Sequence, residues 1–389
     1  MKFDNFSEAI QYARTLFEDI SFSYASNWKK QNSTRHIIGF LPIYIPREII
    51  HSANMLPVGI FGAGDRIPVV HGDAYFQSYI CHLPRTVIEL AKSGHLNDFD
   101  GFIFPAICDV IRNLSGIFML DYKQKFVRYL DYPQNFDGNV GGKFYRQELN
   151  RLITDLEKLN GKKVNTTELN HSISIYNEQR RLLKLLGDFR SEFPHKLSAV
   201  DYYLIQRTAH TMCVEDFNPY LDNILLMLDK QDIEPEDKIR VIISGSFCEQ
   251  PPIGLIKTIE NAGCYIVEDD LQLNLNWITK EIPTDTDDPI GALVDAYINH
   301  SIFSSTVYES DKPKGDQLAE QVKDRKADGV VFCAPSFCDP ALLDRPQLEK
   351  AMDKHHIRHF SFQYHENLGQ FHVIKEQAGT FADTIKLWE

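Results

Sequence analysis

The residues of this chain best suited to metal chemistry are its cysteines. Seven of them, Cys81, Cys108, Cys213, Cys248, Cys264, Cys333 and Cys338, are spread over 389 residues. Thiolates are soft ligands that favour zinc or iron–sulfur centres. No two cysteines stand at C-x-x-C spacing, so the local patterns of zinc fingers and ferredoxins are absent. The odd count argues against a disulfide framework, as does an opening segment without a basic stretch and apolar core. The expected compartment is the cytoplasm. A metal site here has to be assembled by folding, from cysteines remote in the chain.

Two of the cysteines close similar motifs. DGFIFPAICD at Asp100–Asp109 is echoed by DGVVFCAPSFCD at Asp328–Asp339. Each runs from Asp-Gly through an apolar strand and a turn to Cys-Asp. This puts Cys108 and Cys338 just beyond strand carboxyl ends, where open parallel sheets bind ligands. Asp109 and Asp339 read as helix N-caps, and the positive end of a following helix favours a thiolate. Cys81, in DAYFQSYICHLPRT, precedes Pro84, where a helix breaks or restarts. The other cysteines read differently. Buried cysteine commonly acts as a small hydrophobe, and Cys213 after a helical Met, Cys264 opening CYIVED and Cys333 inside a strand fit that role. Cys248 sits in SGSFCEQPP at a strand-to-helix turn, where either role is open. The spacing therefore favours Cys81, Cys108 and Cys338 as the thiolate set.

The elements that must position these thiols are strand–helix units. HIIGFLPIYIPREIIHSANMLPVGIFG (36–62) and IRVIISGSFCEQPPIGLIKTIENAGCYIVEDD (239–270) both read strand, turn, helix, strand. Each leads toward one Cys-Asp motif, which suggests two similar domains. The predicted fold is α/β, with two Rossmann-like domains built on parallel sheets and joined by a helical connector, and the metal site lies in the cleft between them. The expected division is a first domain over 1–160, a connector over 161–235 and a second domain over 236–389. In the connector, NEQRRLLKLLGDFRSEF places Leu182, Leu183, Leu185 and Leu186 on one face. Near the carboxyl end a helix is expected over 341–354, a strand over 357–364 and a last helix over 370–387. The net charge of −13 disfavours nucleic acid, and no long apolar run predicts a membrane span.

Other motifs fall short. FGAGDR has two glycines after a strand but no G-x-G-x-x-G follows, and GNVGGKF lacks the spacing and the Ser/Thr of a phosphate loop. His355, His356 and His359 read as a solvated polar run. No G-x-S-x-G is present.

The segments LPIYIPREIIHSANMLPVGIFG, DAYFQSYIC, DGFIFPAICD, ISGSFCEQPP, FCDP and YHENLGQFHVIKEQAGTFADTIK together resemble the 2-hydroxyacyl-CoA dehydratase superfamily over nearly the whole chain. The tail is most similar to the smaller cluster-bearing subunits of its ATP-dependent benzoyl-CoA reductase branch. The resemblance implies a [4Fe–4S] cluster on Cys81, Cys108 and Cys338, with Cys333 or Cys248 as substitutes for Cys338. It implies low-potential electron transfer for reduction of an aromatic acyl-CoA. It places ATP and magnesium on two ATPase/electron-activating subunits, supplied by ferredoxin, with a homologous larger subunit as a further partner. His82, His365 and Glu366 are the proton-donor candidates. The alternatives are a 2-hydroxyacyl-CoA dehydratase subunit and a zinc-stabilised α/β binding module.

Overall fold

A computed structural model describes residues 2–41, 43–246, 248, 250–302, 304–307, 313–365 and 371–387. Short runs of β-branched and aromatic residues bounded by turn residues form strands. The first set is β1 (His36–Phe40), β2 (Met55–Gly59), β3 (Gly101–Pro105) and β4 (Phe126–Leu130); the second is β5 (Ile239–Ser244), β6 (Cys264–Asp269), β7 (Gly329–Pro335) and β8 (Arg358–Tyr364). Each set forms one parallel sheet, ordered β2-β1-β3-β4 and β6-β5-β7-β8. Helices make the crossovers, as parallel pairing requires.

The two sheets share more than strand order. His36 pairs with Met55 and Ile239 with Cys264, first residue against first residue. The third residue of each leading strand then meets the motif glycine, Ile38 opposite Gly101 and Val241 opposite Gly329. The Asp-Gly echo has a structural purpose in both. Asp100 Oδ2 accepts the Ile37 N–H at 2.8 Å, and Asp328 Oδ2 accepts the Arg240 N–H at 2.6 Å. Each carboxylate thereby ties the start of its central strand to the next. The glycines are required by close packing. A Cβ on Gly101 would lie 2.7 Å from the Phe126 side chain, and one on Gly329 would lie 2.7 Å from the Arg358 carbonyl oxygen.

Between the sheets runs helix Thr166–Glu192, 27 residues long, opened by a capping box in which Asn165 and Glu168 each bond the other's backbone N–H. It packs on helix Arg47–Ser52 of the first sheet's unit and on β6 of the second. Leu182, Leu183 and Leu186 are buried, but Leu185 is 45% exposed. The predicted stripe therefore loses that leucine, because 182, 183 and 186 follow the helical repeat and 185 turns to the opposite edge. Near the carboxyl end the helices Asp339–Lys354 and His372–Leu387 flank β8, close to the predicted spans.

Packing does not follow chain order. Leu273, Trp277 and Tyr297, from the long connection between β6 and β7, join the hydrophobic cluster of the first sheet. Asn274 Oδ1 accepts the Ile45 N–H at 2.9 Å, and the Tyr44 and Ser304 hydroxyls bond at 2.5 Å. Tyr44 is fully buried at φ +54°, a left-handed conformation that a bulky residue adopts only when its surroundings enforce it. The Tyr132 hydroxyl, bonded to the Tyr44 carbonyl at 2.6 Å, is part of that enforcement. At the other end of the chain, Ala13 of helix Phe6–Glu18 lies in the core of the second sheet. No helix among the described residues is long and apolar enough to cross a membrane.

Candidate functional site

Cys108 and Cys338 occupy the same place in their respective units. Cys108 is the N-cap of helix Asp109–Asp121, directly after β3. Cys338 is the N-cap of helix Asp339–Lys354, directly after β7. The N-cap is thus the cysteine itself, and the aspartate expected in that position is the first helical residue. The shift matters because it moves the sulfur toward the unsatisfied N–H groups of the first turn. At Cys108 the N–H groups of Val110 and Ile111 favour the thiolate, without forming a full cap hydrogen bond. Burial opposes them more strongly, and the Asp109 and Asp339 carboxylates add to it, so the Cys108 thiol titrates above its ordinary value.

The influence of Asp339 on Cys108 is informative because the two lie in different sheets' units. It brings the first turn after β7 within electrostatic reach of the thiol after β3. Packing agrees. Cys248, Ala334, Cys338 and Ala341 belong with the first sheet's residues to one continuous apolar cluster, and Ile80 and Cys108 pack against it. Cys81, next to Ile80, is the N-cap of helix His82–Lys92 and is half-buried. Pro84 lies in the first turn of that helix, where a missing N–H is tolerated. The helices capped by Cys81, Cys108 and Cys338 thus surround or adjoin a single cluster, which Cys213, the N-cap of a fourth helix, also joins.

The remaining cysteines are held differently. Cys333 lies within β7, 1% exposed, and burial pushes its thiol up to about 12. Cys264 is fully buried at the start of β6, again with its thiol pushed to about 12, chiefly by burial. Cys213 caps helix Val214–Leu228 and sits 3.2 Å from the Tyr24 hydroxyl, with its thiol raised by burial to about 11. Cys248 is buried in the turn after β5, and its carbonyl accepts the Gln250 side-chain amide at 3.3 Å. None of the seven is in a disulfide.

Of the proton-donor candidates, His82 is half-buried as the first residue of its helix. His365 is exposed just past β8, its ring 5.9 Å from that of Phe337, the residue before Cys338. Phe337 adopts φ +66° and is 42% exposed, an uncommon combination for an aromatic residue, in the turn that carries Cys338. Glu366 lies outside the described residues. His355 and His359 make exposed pairs with Asp316 and Asp353, as a solvated run would. The Gly-Gly of GNVGGKF lies in a π-helical turn, Gly138–Gly142, where a Cβ on Gly141 would strike the Asn135 carbonyl.

Sequence reasoning missed the two clamps that hold these turns. Glu89, in the helix capped by Cys81, accepts the N–H groups of Val70, His71 and Gly72 at 2.8, 2.7 and 3.2 Å. Asp270 accepts the N–H groups of Gly245 and Ser246 at 2.6 and 3.1 Å, fixing the turn that carries Cys248. Neither follows a local pattern, because each bonds a turn 17 to 25 residues away. Among the described residues no group of three His, Cys, Asp or Glu side chains is arranged to hold a single metal ion. The terminal thiolates of an iron–sulfur cube bind different irons and need not converge on one point.

Comparison with known proteins agrees with this architecture. The chain is 46% identical over 383 residues to the C subunit of benzoyl-CoA reductase from Thauera aromatica, covering 98% of this chain and 99% of that protein. It is 26% identical to the (R)-phenyllactyl-CoA dehydratase beta subunit of Clostridium sporogenes, over 90% of this chain and 91% of that one. It is 25% identical to the beta subunit of (R)-2-hydroxyglutaryl-CoA dehydratase from Acidaminococcus fermentans, over 90% and 92%. Residues 42–385 match the model of the 2-hydroxyglutaryl-CoA dehydratase D-component family, and the chain belongs to that family.

Proposed function

We propose that this chain is the smaller iron–sulfur subunit of an ATP-dependent benzoyl-CoA reductase. The observation that carries the reading is the mirrored placement of Cys108 and Cys338 at helix N-termini after corresponding strands of the two sheets, with Asp339, the residue after Cys338, acting electrostatically on Cys108. Near-full-length similarity to the C subunit of a benzoyl-CoA reductase supports the choice of reaction. In this reading Cys81, Cys108 and Cys338 are the three thiolate ligands of a [4Fe–4S] cluster. The donor set fits, being soft sulfurs at positive helix ends in largely apolar surroundings. Cys338 is preferred to Cys333, whose side chain is enclosed in the sheet. Such a cluster, when bound, supplies single electrons at low potential.

The chain's own residues set the conditions for that chemistry. The apolar cluster around Cys108 and Cys338 keeps water from the sulfurs, which tunes a cluster toward one-electron transfer. Burial raises the Cys108 thiol, the N–H groups of the helix N-terminus oppose it, and metal binding would release the proton. In this reading His82, beside Cys81, and His365, whose ring lies 5.9 Å from that of Phe337 before Cys338, would hold protons for ring reduction. ATP hydrolysis falls to two partner subunits fed by ferredoxin, the complex includes a larger homologous partner, and the compartment is the cytoplasm.

A second reading stays within the family. The relatives at 25% and 26% identity are dehydratase beta subunits, in which the same site would serve water elimination from a 2-hydroxyacyl-CoA. Anaerobic turnover separates the two. Reduction predicts continuous consumption of ATP and reductant with benzoyl-CoA. Sustained turnover of a 2-hydroxyacyl-CoA after one activation, with benzoyl-CoA inert, would overturn the reductase reading. A colourless zinc-containing protein would overturn both.

A further inference from the structure

Apart from the cysteine site, a cavity of about 430 Å³ opens at the carboxyl ends of β5 and β6. That volume falls in the range of small-molecule sites, roughly 300–1,000 Å³. Its location is where open α/β sheets bind ligands. No cysteine lines it.

Its chemistry differs from floor to mouth. The floor includes Ser244, Asp269 and Asp270, at the ends of the two strands of the β5–helix–β6 unit. In such units a carboxylate ending the second strand takes the hydroxyls of an adenosine ribose. Asp270 suits that task. Its Oδ2 accepts the Gly245 N–H and, at 3.4 Å, the Ser244 hydroxyl, while Oδ1 accepts only the Ser246 N–H and keeps a lone pair for a further donor. Asp269 is engaged by the buried Arg190, so the floor does not present two open charges. Leu183, Leu273, Ile278 and Leu318 supply apolar walls suited to a flat heteroaromatic ring.

The mouth is cationic. Arg181 and Lys184, on helix Thr166–Glu192, and Lys280, on the loop before Pro289, border it. The ion pairs of Arg181 with Glu178 and of Lys184 with Asp188 are exposed, with side-chain exposures of 48%, 45%, 74% and 39%. Exposed pairs of this kind contribute little and exchange readily for a phosphate. Glu281 also lines this end, so three cations face one carboxylate at the rim, a local exception in a chain of net charge −13. The turn after β5 lacks a glycine-rich phosphate loop and, among the described residues, only Ser244 at its start lines the cavity, so phosphates are directed outward to the mouth.

We infer that this cavity binds an adenosine phosphate, with the nucleoside inside and the phosphates on Arg181, Lys184 and Lys280. Two sources carry that chemistry, a coenzyme A thioester and a free adenine nucleotide; the first rests on the reductase reading, and the binding itself does not. The test uses the anaerobically purified complex containing this chain, with coenzyme A, dephospho-coenzyme A and ADP as probes. Calorimetry gives affinity, and hydrogen exchange locates binding. The expected result is protection of residues 181–187 and 276–281. Charge reversal by Lys184→Glu together with Lys280→Glu weakens binding roughly tenfold or more, with iron content and unfolding temperature retained. Coenzyme A binding tighter than dephospho-coenzyme A assigns the thioester; ADP binding as well as coenzyme A assigns the free nucleotide. Protection confined to other segments, or unchanged affinity in the double variant, overturns the inference. Benzoyl-CoA reduction on the same preparation keeps the two proposals apart. Turnover without protection here sinks only the cavity assignment, and protection here without turnover sinks only the reductase reading.

Discussion

Asp270→Asn tests how the second sheet holds its first turn. The Asp270 carboxylate is enclosed beneath that turn and accepts the Gly245 and Ser246 N–H groups, with the Ser244 hydroxyl at 3.4 Å. Burial, the largest influence, and the neighbouring Asp269 outweigh these bonds and raise its carboxyl from 3.8 to about 6. The folded state therefore binds the proton more tightly than the unfolded chain. Stability from this group is greatest below 3.8 and is lost as pH rises through about 6. The full shift corresponds to about 3 kcal/mol, of which about 1.3 kcal/mol falls between about pH 5 and about pH 7. Asparagine does not titrate, and it sets an amide N–H₂ against one backbone donor, at a cost of about 1–3 kcal/mol. The assay is hydrogen exchange of the β5 and β6 amides, which reports the stability of this region rather than of the whole two-sheet chain. Between those two pH values the native protein should lose about 1.3 kcal/mol of protection relative to the variant. Parallel pH profiles for the two proteins would refute the reasoning.

The remaining predictions concern packing and clamps. Gly329→Ala should lower stability by about 1–3 kcal/mol through overpacking, because its Cβ would meet the Arg358 carbonyl and the Phe381 ring at 2.7 and 2.6 Å; urea unfolding measures it. Cys264→Ala should cost about 1–3 kcal/mol and leave iron content unchanged, whereas Cys108→Ala should lose iron, as metal analysis will show. At Glu89 burial pushes the carboxyl up, but the His71 side chain and three backbone N–H groups outweigh it and hold it below 4.5. Its contribution is present above 4.5 and lost as pH falls, so Glu89→Gln should flatten the acid limb of the unfolding curve.

The fold was legible where its determinants are local. Apolar strands ending in turn residues marked β1, β5, β3 and β7, and the Asp-Gly echo signalled a repeat that the matching strand orders and registers display. The stripe on the long helix was less accurate, because four leucines in five positions cannot all share one face, and Leu185 faces out. What the sequence did not disclose is non-local. Nothing in the residues of the β6–β7 connection says that Trp277 and Tyr297 pack on the first sheet, since that depends on which surface the second sheet leaves open. The same holds for Glu89 and Asp270, whose partners are backbone N–H groups of other turns. At the site, strand-end position singled out Cys108 and Cys338, and the structure adds that each is the cap residue itself.

The central claim is that three cysteines on two sheet units hold an iron–sulfur cube. Iron and acid-labile sulfide, measured per chain on protein purified without oxygen, test it most directly. The account predicts about four of each per chain, falling sharply in Cys81→Ala, Cys108→Ala and Cys338→Ala but not in Cys264→Ala. Colourless protein without iron or sulfide, or full iron retention in those three variants, would contradict it.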